Sequence, residues 1–143
     1  MNSLSKSGTQ EIRNQELGHK DLSGQVIAAA IQVHQTLGPG FLESIYEAAL
    51  CIELDLRSIR YERQKLVPLS YRGHPVGEHR LDLLVEGVLV VELKAAKTLE
   101  DIFFATTRSY MKAVGVEDGL ILNFASMPLT IKRVGRELRN TAS

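Results

Sequence analysis

The sequence has a single cysteine, no long apolar run and no excess of charge of either sign. With only Cys51, the chain cannot form an internal disulfide, which fits a reducing compartment. Because Cys51 lies in an apolar helical pattern, it is predicted to be a small buried residue rather than a nucleophile. Residues 1–20 contain no apolar run, and no later stretch is long enough for a membrane span. These absences predict a cytoplasmic protein without a signal peptide or a membrane partner.

The charges balance over the whole chain but not along it. Lys plus Arg and Asp plus Glu each count 17, so no overall field draws the protein to nucleic acid or to a membrane. Residues 57–97 hold eight basic residues against five acidic ones, whereas residues 41–56 hold four acids and no base. This distribution leaves room for a basic face, although scattered solvated charge explains it equally well.

Motifs of several large enzyme classes are absent. The chain has no GxSxG elbow, no Walker loop and no Cys/His pair in a recognisable context, which argues against other hydrolases. Its 143 residues are enough for one domain that buries roughly two thirds of its unfolded surface. We predict a disordered tail over residues 1–18 and one domain over residues 19–143.

Two helices are predicted before residue 57. Asp21 and Ser23 are candidate N-caps for the first, which ends at the GPG of residues 38–40 because Pro39 cannot continue the hydrogen-bond ladder. The second is predicted over about 41–56. Its buried apolar face is expected to consist of Phe41, Ile45, Ala48, Ala49, Ile52 and Leu56.

The apolar period changes to two after Tyr61, which indicates strands. Strands are predicted over 65–71, 76–85, 88–94, 119–124 and 129–134, with a helix over about 98–114. Pro68 indicates an edge strand or a bulge, because proline cannot donate to a ladder. The order αα-βββ-α-ββ predicts a single mixed α/β domain.

Three charged residues interrupt the aliphatic hairpin of residues 80–97. Asp82, Glu92 and Lys94 would be costly to bury without partners. A two-residue turn at 86–87 would place Glu92 on the face opposite to Asp82, whereas a three-residue loop over 85–87 would place both acids and Lys94 on one face. Such loops often combine a type I turn with a left-handed third residue, and Gly87 suits that position. In this second register Glu92 is the diagonal neighbour of Asp82.

Two carboxylates on one face favour a divalent cation between them, and few hard oxygen ligands suit Mg²⁺ or Mn²⁺. From spacing alone, a purely structural ion cluster is as good an interpretation. The second helix supplies another acid in GFLESIY, residues 40–46, where Glu43 and Tyr46 share a face. Taken alone, Glu43 is explained by the helix dipole and Tyr46 by packing.

The motifs together resemble a known family. GFLESIY has the GxxExxY pattern through Gly40, Glu43 and Tyr46, and it precedes ERQ, YRG, RLDLLVE, VVELKA and GLILNF in that order. Over about residues 22–134 the chain resembles the GxxExxY family of the PD-(D/E)XK nuclease superfamily. The resemblance implies a restriction-endonuclease-like αβββαβ core with an extra N-terminal helix.

The resemblance also implies roles for individual residues. Asp82, Glu92 and the Leu93 carbonyl would be ligands of Mg²⁺ or Mn²⁺, with Glu43 beside the metal. Lys94 would position or activate the attacking water and offset transition-state charge. Tyr46 would hydrogen-bond Glu43 or a phosphate. A supporting residue and four phosphate contacts complete the predicted site: Tyr110, Arg80, Lys97, Arg108 and Lys112.

The chain departs from the family pattern at two positions. Leu81 replaces the common proline before Asp82, and Thr106 stands where related nucleases carry a glutamine four residues before Tyr110. The intact D…ExK set favours a nuclease. The loss of the glutamine, the neutral net charge and the few aromatic stacking platforms favour a catalytically silent module that binds metal or nucleic acid and acts through a partner. A homodimer or a protein partner is compatible with either interpretation.

Overall fold

The computed structural model describes residues 21–135; the predicted tail over residues 1–18 lies outside them. Helix α1 occupies 21–37 of the described chain. The other elements are α2 (Glu43–Leu56), β1 (Tyr61–Tyr71), β2 (His74–Val85), β3 (Leu89–Lys94), α3 (Asp101–Val114), β4 (Asp118–Asn123) and β5 (Thr130–Gly135). The predicted order αα-βββ-α-ββ is confirmed, and elements α2 to β4 form the αβββαβ core.

The five strands form one mixed sheet in the order β1-β2-β3-β4-β5. All neighbours pair antiparallel except β3 and β4, which are parallel and are joined by α3. Strand β3 is therefore central, and β1 is an edge strand that contains Pro68, as predicted. None of the helices in residues 21–135 is long and apolar enough to cross a membrane.

Helices cover both faces of the sheet. Tyr46 and Leu50 of α2 pack with α1 and with Leu83 and Val91 on one face. On the other face, Met111 of α3 packs with residues of β2, β3 and β4. Gly119 of β4 allows this close approach, because a Cβ atom there would lie 2.7 Å from the Met111 sulfur. Strand β3 is consequently buried on both sides, which explains the aliphatic residues that it contributes to both faces.

The predicted buried face of α2 is wrong except at Ala48 and Ala49, which are half-buried. Ile45, Ile52 and Leu56 are 41%, 59% and 75% exposed. The buried residues are instead Tyr46, Glu47, Leu50, Cys51 and Leu54. Helix α2 carries apolar residues on both sides, and both sets recur at helical spacing. Tertiary packing selects between them, because the Tyr46 ring stacks on Phe124 of the core with 4.5 Å between centroids. Cys51 is buried, as predicted.

The boundaries of the elements differ from the predicted ones by a few residues. Ser23 is not an N-cap: it lies within α1, and its hydroxyl accepts a hydrogen bond from Arg133. The GPG segment ends α1 as predicted, since Gly38 has a left-handed φ of 72° and donates to the His34 carbonyl.

Candidate functional site

The hairpin between β2 and β3 determines how the two acids meet. Its loop has three residues, as predicted, but occupies 86–88 rather than 85–87, so that Val85 pairs with Leu89 and Leu84 with Val90. Glu86 and Gly87 have φ values of 51° and 71°, so two residues rather than one adopt the left-handed conformation. The predicted pairing of Leu84 with Val88 is therefore wrong. No strand pairing between Asp82 and β3 is recorded, so the predicted common face of Asp82 and Glu92 stays a prediction.

Asp82 and Glu92 lie where β2 and β3 diverge. Backbone pairing between the strands is recorded only as far as Leu83 and Val91. Beyond that point, hydrogen bonds to the Asp82 and Glu92 side chains replace the backbone hydrogen bonds between the two strands. The Asp82 amide donates to Glu92 Oε2 at 3.0 Å, and the Leu93 amide donates to Asp82 Oδ2 at 2.9 Å. The acids are therefore tolerated in an aliphatic hairpin because they accept hydrogen bonds from amides that the fork leaves without strand partners.

Burial disfavours the charged form of both acids. Glu92 is 5% exposed. Burial, followed by the charge of Asp82, raises the pKa of Glu92 to about 9 from an ordinary 4.5. Burial also raises the pKa of Asp82, helped by the charges of Glu47 and Glu43 and opposed by the Leu93 amide. The pair is more stable when a proton or a cation reduces its charge.

Lys94 follows the acids at the end of β3. Its Nζ atom lies 4.3 Å from the centroid of the Phe103 ring on α3, in a cation–π contact. The chain after Lys94 is held by Asn123 of β4, a residue that the sequence analysis did not single out. The Asn123 side chain accepts from the Ala96 amide at 3.1 Å and donates to the Ala96 carbonyl at 2.8 Å. These hydrogen bonds fix the path of the chain where it leaves β3.

Glu43 joins the two sequence motifs. It is the first residue of α2 and is exposed, and its Oε2 atom accepts from the Ala95 amide at 3.3 Å. The acid of GFLESIY thus lies beside the residue that follows Lys94, although the motifs are about fifty positions apart in the chain. The charge of Glu43 also contributes to the raised pKa of Asp82. Glu43 therefore lies near the Asp82 and Glu92 carboxylates.

Tyr46 does not make the predicted hydrogen bond to Glu43 or leave its hydroxyl free for a phosphate. The side chain is fully buried, and its hydroxyl donates to the Gly38 carbonyl at 2.6 Å and accepts from the Phe41 amide at 3.1 Å. These bonds hold the loop between α1 and α2 against the start of α2. Tyr46 therefore supports the helix that carries Glu43, and it does so through the backbone.

Replacing Tyr46 with Phe should lower stability without changing chemistry. The substitution leaves the Gly38 carbonyl and the Phe41 amide without this partner, at a cost of about 1–3 kcal/mol in the free energy of unfolding. Urea denaturation of both proteins measures the difference. Any cleavage of nucleic acid, assayed well below the melting temperature, should proceed at the wild-type rate. A large loss of cleavage in a folded Tyr46→Phe protein would show that the Tyr46 hydroxyl takes part in the reaction.

Tyr110 on α3 is half-buried near the carboxylates. Burial raises its pKa, and the charges of Glu92 and Asp82 add to the effect. Its ring packs edge-to-face on His79, whose Nε2 atom is 2.8 Å from the Ser109 hydroxyl. Thr106, at the position where the resemblance predicts a glutamine, is half-buried one helical turn before Tyr110.

The four basic residues predicted to contact phosphate are less closely tied to the acids. Arg80, Lys97 and Lys112 are exposed and Arg108 is half-buried. Among residues 21–135, none of the four forms an ion pair with Asp82 or Glu92. Their predicted phosphate contacts stay predictions.

Three further residues lie near Asp82 and were not predicted from the sequence to belong to the site. Glu47, which is 6% exposed, lies 2.6 Å from Arg63 Nε through one oxygen and 2.8 Å from Gln64 Nε2 through the other. The same Gln64 nitrogen lies 3.4 Å from Asp82 Oδ1. Glu47 adjoins Tyr46 in the sequence, but no sequence pattern links it to β1.

The donor set fits a divalent cation that keeps several waters. Within the described chain, no three His, Cys, Asp or Glu side chains are grouped closely enough to hold a metal by themselves. Asp82 and Glu92 nevertheless offer hard oxygen ligands, and their raised pKa values show that a nearby positive charge would stabilise their ionised forms. Mg²⁺ typically binds through one or two carboxylates, with water and phosphate completing its coordination.

Comparison with known proteins identifies the superfamily of the chain. A family model described as the PD-(D/E)XK nuclease superfamily matches residues 20–134. The chain belongs to the PD-(D/E)XK nuclease superfamily. Its restriction-endonuclease-like fold, predicted from the sequence, is confirmed. Nucleases of this superfamily generally use divalent metal ions. No curated protein matches the chain.

A solved structure supports the fold alone. The protein titled "Crystal structure of SSO0001" superposes with a TM-score of 0.53 at 14% sequence identity. The alignment covers 69% of this chain and 52% of that one, so this PD-(D/E)XK protein spans about half the length of that structure.

Proposed function

We propose that this protein is a divalent-metal-dependent nuclease of the GxxExxY family that hydrolyses phosphodiester bonds of nucleic acid at its D…ExK site. The observation that carries the proposal is the meeting of Asp82 and Glu92 across the fork between β2 and β3, with Lys94 on the same strand. A purely structural ion cluster would pair the acids with the lysine. Instead the Lys94 ammonium lies over an aromatic ring and forms no ion pair in residues 21–135.

Asp82, Glu92 and the Leu93 carbonyl are the proposed ligands of Mg²⁺ or Mn²⁺, and Glu43 approaches from α2. A bound divalent cation would stabilise negative charge on the phosphate and lower the pKa of a water molecule. The protein's share is to hold the two carboxylates in fixed orientation, through the hydrogen bonds from the Asp82 and Leu93 amides.

Lys94 is proposed to orient the attacking water and to offset charge on the phosphoryl oxygens. A primary ammonium offers three donors, and that of Lys94 lies over the Phe103 ring. Tyr110, edge-on to His79, supports the wall of the site formed by α3. The proposed phosphate contacts are Arg80, Lys97, Arg108 and Lys112.

The partner is proposed to be nucleic acid, DNA or RNA. A cytoplasmic location, a homodimer and a protein partner stay predictions from the sequence. The second candidate function is the catalytically silent module of the same fold, which one observation favours: Thr106 offers a short side chain at the position of the family's long polar one.

The replacement of Lys94 with Ala tests the nuclease. The assay offers single- and double-stranded DNA and RNA, first with Mg²⁺ and then with Mn²⁺. We expect wild type to cleave one class and Lys94→Ala to lose about 100-fold or more in rate, the usual cost of removing a group that stabilises transition-state charge. Lys132→Ala is the matched control, because Lys132 is an exposed lysine on β5 at the far edge of the sheet.

The outcomes separate the candidate functions. Equal cleavage by wild type and Lys94→Ala would identify a contaminating nuclease and contradict the proposed role of Lys94. An absence of cleavage by wild type, with Mn²⁺ binding intact, would support the silent module.

A further inference from the structure

A chain of polar side chains joins α2 and β1 to Asp82. It begins at Arg63, which binds one oxygen of the buried Glu47 at 2.6 Å. The other Glu47 oxygen accepts from Gln64 Nε2 at 2.8 Å, and this nitrogen reaches Asp82 Oδ1 at 3.4 Å. The second Asp82 oxygen accepts from the Leu93 amide. Both oxygens of Asp82 are therefore oriented by neutral donors, and each retains a lone pair for a cation.

The backbone at Gln64 is unusual for a strand. Gln64 has a φ of 53°, in the left-handed region that residues other than glycine, asparagine and aspartate rarely adopt. Its neighbours Arg63 and Lys65 pair with Leu83 and Leu81, so Gln64 stands directly across from Asp82. This left-handed conformation is unfavourable for a glutamine. It places the Gln64 side chain between Glu47 and Asp82.

Gln64 also separates two acids. Glu47 and Asp82 are close enough that the Glu47 charge raises the pKa of Asp82. An amide group between them donates one hydrogen to each, which a carboxylate or an apolar side chain at this position could not do. Arg63 compensates the buried Glu47 charge from the other side. The Glu47 carboxylate in turn holds the Gln64 amide in place through the 2.8 Å hydrogen bond.

We propose that Gln64 is a positioning residue that fixes the orientation of the Asp82 carboxylate for the divalent cation, with Glu47 and Arg63 holding Gln64 in turn. The inference rests on the proposed metal-dependent function. Partners that orient a metal ligand usually contribute ten- to a hundredfold to metal affinity. Gln64 is expected to act through Asp82 without touching substrate.

Two substitutions distinguish positioning from stability. Gln64→Ala and Gln64→Gly both remove the amide, but only glycine accepts a φ of 53° without strain. In EDTA, Gln64→Gly should therefore melt at a higher temperature than Gln64→Ala. Titration calorimetry of the metal-free full chain with MnCl₂ should nevertheless show both variants about tenfold weaker than wild type. Gln32→Ala is the matched control, because Gln32 is an exposed glutamine on α1 that donates a hydrogen bond to Thr36 of the same helix.

The result supports the inference if the two variants differ in melting temperature and share one weakened Mn²⁺ affinity. Wild-type affinity in both variants would overturn the role of Gln64 and leave the nuclease proposal intact. Affinity that follows melting temperature would show that Gln64 serves the fold alone. No Mn²⁺ binding by wild type would overturn the metal-dependent function, and the positioning role with it.

Discussion

Millimolar Mn²⁺ should raise the melting temperature of the wild-type protein by several degrees and leave that of Asp82→Asn unchanged. Without metal, Asp82 and Glu92 face each other in a buried fork, and each resists ionisation. A cation bound to the folded state at about 100 times its dissociation constant stabilises that state by about 2.7 kcal/mol. For a chain of this size, each kcal/mol shifts the melting temperature by about 2–8 °C.

Thermal unfolding followed by circular dichroism, with and without MnCl₂, measures the shift. Asp82→Asn keeps the size of the side chain and an oxygen for the Leu93 amide but removes the charge. Asp101→Asn is the matched control, because Asp101 is an exposed acid at the start of α3 and should retain the full response to Mn²⁺. An equal rise in Asp82→Asn would show that the cation binds elsewhere.

In EDTA, the wild-type protein should lose stability between about pH 5 and pH 9, and Glu92→Gln should lose much less. The pKa of Glu92 is about 9 in the folded protein, against an ordinary 4.5. Between these values the folded state binds more protons than the unfolded state, so the free energy of unfolding falls as pH rises. The contribution is fully present below pH 4.5 and is lost by about pH 9. At about 1.4 kcal/mol per pH unit the full loss amounts to several kcal/mol.

Glu92→Gln is the suitable comparison because its amide is neutral at every pH and its oxygen can still accept from the Asp82 amide. Urea midpoints at pH 5, 7 and 9 should show the variant increasingly more stable than wild type as pH rises. Saturating Mn²⁺ should flatten the wild-type profile, since the cation offsets the buried charge. Parallel profiles for the two proteins in EDTA would mean that Glu92 titrates near its ordinary pKa.

The sequence alone determined the order of the elements and the residues of the hairpin. Local signals suffice for this: the apolar period changes from helical spacing to two after Tyr61, and Gly38 ends α1 where a left-handed residue is needed. It also predicted that Asp82 and Glu92 share a face, because alternation along a strand depends only on whether the loop is odd or even. A shift of the register by two residues preserves that alternation. The sequence therefore could not determine which residues of β2 and β3 pair, such as Leu84 with Val90.

The tertiary structure decided what local patterns leave open. Both sides of α2 are apolar at helical spacing, and only the core around Phe124 selects the side that carries Tyr46 and Glu47. The divergence of β2 from β3 turns two unpaired amides toward the acids, and the left-handed backbone at Gln64 brings β1 into contact with them. These features depend on pairing between segments far apart in the chain, whereas periodicity and turn chemistry report only on neighbours. The sequence was enough to single out Asp82 and Glu92, but the orientation of their carboxyl groups is set by the fold.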